Sequence, residues 1–185
     1  MSKIELPIKP EAFWELFSKN LEEKINKTRD FEKIYTSNKI ELTKFMTNLV
    51  SELGSKNLGM IVEKEYLQRF DVSFFDKSAA WEEEWSYEAV IEIENQDNWL
   101  SELCKMILLP CGLKVLISYY DNFDKTIKQL NEFKKIYNSR KYHQISENWL
   151  LIFGPYAGKN DEFKALKFDG KEIIEITNNN KIIIK

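Results

Sequence analysis

The change of hydrophobic period at Gly54 constrains what this chain can fold into more than any other feature of it. Before Gly54, apolar residues recur at helical spacing; after it they alternate or run on as strands do. Residues 11–27 place Phe13, Trp14, Phe17, Leu21 and Ile25 on one face, with charges between them, which predicts an amphipathic helix. A second helix is expected after a turn. Asn38 and Glu41 resemble a cap pair, Leu42, Phe45, Met46, Leu49, Val50 and Leu53 form the stripe, and Gly54 fits the stop. Strand-like segments at 58–66, 69–75 and 87–94 follow without an intervening helix and so predict a meander.

Beyond a polar break at 95–98, Trp99, Leu100, Leu103, Met106 and Ile107 mark a short helix that ends before Pro110. Gly112 opens a strand over 113–120, and a helix from about 123 to 141 carries Ile127, Leu130, Phe133 and Tyr137 at helical spacing. The chain then reverts to strands at 148–153, 163–168 and 171–176, the last two joined through Asp169-Gly170, a strong hairpin signal. At 185 residues and 43% apolar content, with no repeat or Pro/Gly/Ser-rich linker, the chain can bury one sizeable core. The expected architecture is therefore α/β (α+β), one domain over 1–185. It comprises an N-terminal helix at 11–27, a core over about 38–120, and a C-terminal helix and strands over 121–185. A mixed central sheet flanked by helices is expected, closing with a C-terminal β-hairpin.

Composition removes several functional classes. A formal charge of −3, from 27 basic and 30 acidic residues, gives no overall attraction to nucleic acid or to an anionic membrane. No apolar run approaches the roughly eighteen residues that span a bilayer, and the N-terminus lacks a signal-peptide core, so a cytoplasmic protein with no membrane partner is expected. Cys104 and Cys111 lack zinc-site spacing and are expected as reduced thiols near the core. His143, the only histidine, leaves little material for imidazole-based hydrolysis and is expected at the surface.

Three acids of the second and third strand-like segments stand out. Asp71 lies among Phe70, Val72, Phe74 and Phe75, while Glu92 and Glu94, two apart on one strand, leave the same face. An ionised carboxylate on an apolar strand loses several kcal/mol of hydration unless it is paired or bound to metal. A divalent cation with oxygen ligands, Mg²⁺ rather than zinc, would relieve both that loss and the repulsion between the acids. A solvated sheet face would also account for Glu88, Glu92 and Glu94, but Val90 shares their side of the strand.

Helix, three strands with an acid in the second and an acid pair in the third, then a helix and a fourth strand: over roughly residues 38–120 this order resembles the PD-(D/E)xK, or restriction-endonuclease-like, superfamily. The resemblance implies a restriction-endonuclease-like core and Mg²⁺-dependent hydrolysis of phosphodiesters in DNA or RNA, with Mn²⁺ as a substitute cation. In that superfamily a strand-two Asp and a strand-three (Asp/Glu)-x-Lys bind metal and position the attacking water, often with a Glu from the first helix. Asp71 matches the strand-two aspartate and Glu92 the first acid of strand three, so Asp71, Glu92 and Glu94 are the implied metal ligands. Glu94 stands where the lysine is usual, as in restriction enzymes of the superfamily that carry Glu-x-Glu. In other members the lysine has moved to the following helix, where this chain has Lys105. The stripe of Trp99, Leu103 and Ile107 puts Lys105 on roughly the opposite side of that helix. The helix acid is Glu41 or Glu52, on the same flank of their stripe at about 100° per residue.

Asn95, Gln96 and Asn98 fit a turn better than a phosphate contact. Trp81-Glu-Glu-Glu-Trp85 suits a protein contact or a turn whose tryptophans tuck inward. Lys125, Lys128, Lys134, Lys135, Arg140 and Lys141, with Tyr137 and Tyr142, offer a basic surface for nucleic acid, although a solvated helix gives the same pattern. The 154–159 loop lacks the Gly-Lys-Ser/Thr ending of a phosphate loop. Two functions stay open at this level. One is a Mg²⁺-dependent nuclease using Asp71, Glu92, Glu94 and Lys105; the other is a non-catalytic protein on a nuclease-like scaffold, an immunity or regulatory protein that binds a protein partner.

Overall fold

The computed structural model describes residues 7–37, 39–66, 70–77, 87–94, 98–139, 148–156, 162–177 and 182. Asn38, residues 81–85, Asn95 and Gln96, Arg140 to His143 and the 157–159 part of the glycine-bounded loop, all of which figure in the sequence expectations, lie outside them.

Helices α1 (Pro10–Lys27), α2 (Phe31–Ser37) and α3 (Lys39–Glu52) lead into a π-helical turn at Leu53–Asn57. Strands β1 (Ile61–Tyr66), β2 (Phe70–Phe75) and β3 (Tyr87–Ile93) follow, then α4 (Trp99–Met106), β4 (Cys111–Tyr120), α5 (Phe123–Ser139), β5 (Asn148–Pro155), β6 (Lys164–Phe168) and β7 (Ile173–Glu175). The seven strands form one mixed sheet in sequential order. β1, β2 and β3 are the expected antiparallel meander. β3, β4 and β5 run parallel, which requires the crossovers that α4 and α5 supply.

Two apolar layers cover the sheet. Side chains of α1, α3, Val72, Phe74, Ile91, Val115 and Ile152 fill one; α4 and α5 with Val90, Leu116, Trp149 and Leu151 fill the other. β4 and β5 are apolar on both faces because both are covered. Lys114 is the charged exception. It is buried with its ammonium 4.6 Å from the centre of the Trp149 ring, which offers a negative face to the cation.

Two local expectations change. The segment after α1 is not a simple turn: it contains α2, whose Phe31 and Tyr35 pack into the core. Gly54 does not stop α3 as a C-cap. It sits in the π-helical turn, where a Cβ would stand 2.5 Å from the Phe74 ring and 2.8 Å from Val62, so only glycine lets the turn press on the sheet. The C-terminal hairpin forms as expected: β6 and β7 pair antiparallel, Gly170 takes φ +88°, and Asp169 Oδ1 accepts the N–H groups of Lys171 and Glu172.

Candidate active site

The acids of β2 and β3 meet at one end of the sheet. The antiparallel register runs Ser73↔Val90 and Val72↔Ile91, so one further step sets Asp71 against Glu92. Asp71 Oδ2 accepts the backbone N–H of Ile93 at 2.7 Å, which fixes its carboxyl across the strand gap. The two side-chain carboxyls are close enough for each to perturb the other.

Burial sets the electrostatics of this pair. Glu92 is only 6% exposed, and desolvation pushes its carboxyl up to about 8; Lys105 opposes that rise and Asp71 adds to it. Asp71 is also raised, again chiefly by burial, against the Ile93 N–H and the Glu92 hydrogen bond that lower it. Two acids this close titrate as a unit, and near neutral pH the apo pair retains a proton.

Lys105 completes the cluster from the next element. Its ammonium lies 3.0 Å from Glu92 Oε1, also contacts Glu102 Oε2 one helical turn back, and stands 5.8 Å from the Phe70 ring centre. The contact with Glu92 is ionic rather than a directed hydrogen bond, since Oε1 is buried without a hydrogen bond of acceptable angle. Burial works against the charge of Lys105, but Glu102 and Glu92 outweigh it and hold its pKa above the ordinary value.

The expectation that Lys105 points away is corrected. Helical side chains lean toward the N-terminus, and the start of α4 lies just beyond the end of β3. A long side chain in its second turn therefore reaches back over Glu102 to Glu92. Sequence reasoning missed Glu102 altogether, although its i, i+3 spacing to Lys105 is a legible pairing signal.

Glu94 is placed differently from its expected partners. It follows β3, is half-buried, and its N–H donates to Ile117 O at 2.9 Å. Among the described residues no three His, Cys, Asp or Glu side chains gather as metal donors, so Glu94 does not join Asp71 and Glu92 in a triad. The helix acids are elsewhere as well. Glu52 pairs with Lys24 at 2.8 Å and Lys56 at 3.2 Å, and Glu41 is exposed. The part of α3 nearest the carboxylates is Thr43, Lys44, Thr47 and Asn48, which with Lys64, Glu65 and Asp71 line a groove of about 380 Å³.

The residues present fit a Mg²⁺ ion. Such an ion commonly takes one or two protein carboxylates and completes its octahedron with water and substrate phosphate. Asp71 and Glu92 supply two, and because Glu92 Oε1 already faces the Lys105 ammonium, a bound cation would share Glu92 with that lysine.

Away from the site, Cys104 and Cys111 form no disulfide, and burial pushes Cys111 up to about 12. No described helix is long and apolar enough to cross a membrane. Comparison with protein-family models, curated proteins and solved structures finds no match. The functional reading rests on the geometry alone.

Proposed function

We propose that the chain is a nuclease of the PD-(D/E)xK type that hydrolyses nucleic-acid phosphodiesters with Mg²⁺, Mn²⁺ serving as substitute. The observation that carries this reading is the ion pair between Lys105 and Glu92 beside Asp71: a lysine from the helix after the third strand reaches the acid pair that Glu94 leaves without one. The order of elements supports it too, an antiparallel three-stranded meander joined through α4 to a parallel fourth strand.

Asp71 and Glu92 would hold the cation. When bound, it would lower the pKa of a coordinated water and offset negative charge on the phosphoryl group. The Ile93 N–H keeps Asp71 oriented toward the centre of the cluster. Lys105 favours the ionised form of Glu92, and its positive charge beside the acid pair would offset negative charge on the phosphoryl group. Glu102 restrains the Lys105 ammonium on the β3 side of α4.

The test is incubation of the purified chain with end-labelled DNA and RNA in Mg²⁺, Mn²⁺ or EDTA, beside Asp71→Ala prepared identically. Cation-dependent cleavage that vanishes in the variant is expected. Equal cleavage by Asp71→Ala, or no cleavage with either cation, would overturn the assignment and favour the binding protein on the same scaffold.

A further inference from the structure

The groove between α3 and β1 opens directly onto the carboxylate pair, because Asp71 belongs to both. Its α3 wall is Thr43, Lys44, Thr47 and Asn48, positions i, i+1, i+4 and i+5 that share one side of the helix. Leu42, Met46, Leu49 and Val50 occupy the opposite side and are buried in the core. α3 is thereby fixed by packing, and its polar side is presented as a rigid wall.

That wall is rich in donors. Lys44 is exposed, and Lys64, which faces it from β1, donates to Asn48 Oδ1 at 2.8 Å, leaving the Asn48 Nδ2 as a donor beside the Thr47 hydroxyl, while the Thr43 hydroxyl donates to Lys39 O. Ammonium, hydroxyl and amide donors match phosphate and sugar oxygens. Among the described residues its lining is polar and charged, which suits backbone contacts. A space of about 380 Å³ lies in the range of built ligand clefts.

The backbone is also distorted here. The β1–β2 ladder pairs Lys64↔Val72 and Tyr66↔Phe70, passing over Glu65 and Asp71, and Glu65 takes φ +51°. A non-glycine residue in the left-handed region costs on the order of 1–3 kcal/mol and marks sites where the surroundings enforce it. The distortion opens the ladder at the one position where β2 carries Asp71.

We infer that this groove seats the sugar–phosphate backbone of a nucleic-acid strand next to the phosphodiester at Asp71, with Lys44, Lys64, Thr47 and Asn48 as its phosphate-binding side chains. The inference rests on the nuclease reading for its location. It is distinct from the basic side of α5, which packs with α4 in the other apolar layer from α3. Glu65 and Asp71 also line the groove, so the strand lies with its phosphates toward the lysines.

Binding can be measured without cleavage, on full-length protein carrying Asp71→Asn, by fluorescence anisotropy of labelled single-stranded DNA and RNA over a range of salt. Lys44→Glu with Lys64→Glu is expected to weaken binding tenfold or more. It should also make the salt dependence of log K shallower by about 1.4, since two fewer phosphates of a single strand are neutralised. Lys125→Glu with Lys128→Glu on α5 is expected to change neither. Lys44→Gln with Lys64→Gln, and circular dichroism of each variant, guard against misfolding of the charge reversals. Unchanged affinity in both groove variants, a larger loss from the α5 variant, or no binding by the parent would overturn the inference. Because binding is the readout, groove binding without any cleavage by the native chain would sink the nuclease reading while sustaining this one.

Discussion

Lys105 Nζ stands 3.0 Å from Glu92 Oε1, a cation from α4 held against an acid of β3 that is almost wholly buried. The dependence is one-sided: Lys105 is half-exposed and keeps Glu102 as a second partner, whereas removing the lysine would leave the buried Glu92 carboxylate uncompensated.

Lys105→Ala should therefore raise the titration of Glu92 further, because a cause that lowers it is removed while burial remains. In the proposed reaction it should reduce cleavage by roughly 10²-fold or more, the range for losing a positioned charge at a reacting centre. Cleavage kinetics and NMR titration of the glutamate carboxyls are the measurements. A Glu92 titration at its ordinary value in the variant would contradict the account of the pair.

The same burial makes the apo protein sensitive to pH. Glu92 has a folded value of about 8 against an ordinary 4.5, so between these limits the native state binds the proton more tightly than the unfolded state. The stability that this proton contributes in EDTA is fully present below about pH 4.5 and is lost as pH rises through about 8, by on the order of a few kcal/mol. Urea unfolding at pH 5 and pH 8 would show the fall, and Glu92→Gln should flatten it. A native chain as stable at pH 8 as at pH 5 would refute the shift.

Divalent cation should reverse that loss. Mg²⁺ at about 100 times its dissociation constant adds about 2.7 kcal/mol to the native state, which for a chain of this size raises the melting temperature by about 5 °C or more at neutral pH. Asp71→Asn and Glu92→Gln should each abolish the rise, and Glu94→Gln should retain most of it, since Glu94 does not gather with them. Calorimetry of the four proteins decides the point.

Gly54→Ala tests the packing that supports the site. The added methyl meets the Phe74 ring and Val62 within 2.8 Å, so the π-helical turn must lift from the sheet that carries Asp71. A loss of about 1–3 kcal/mol is expected from overpacking, measured by denaturant unfolding. An unchanged midpoint would show that the turn can shift freely.

Much of the architecture was written in local pattern. Period 2 in β2 and β3, continuous apolar runs in β4 and β5, and Asp169-Gly170 at the last hairpin are signals carried by neighbours in sequence, and each element formed where they lay. α2 was hidden because seven residues after a turn give too few repeats to show a helical period. Gly54 was misread because a helix stop and a close approach both call for glycine, and only the position of Phe74 separates them.

The sequence by itself determined a mixed α/β chain with acids embedded in two adjacent apolar strands, since alternation fixes which residues share a strand face. Tertiary structure alone decided which acids meet. Register set Asp71 against Glu92, the backward lean of helical side chains brought Lys105 to them, and α3 presented Lys44, Thr47 and Asn48, not Glu41 or Glu52, to the groove. These meetings join elements tens of residues apart, and no periodicity within one element encodes the distance to another.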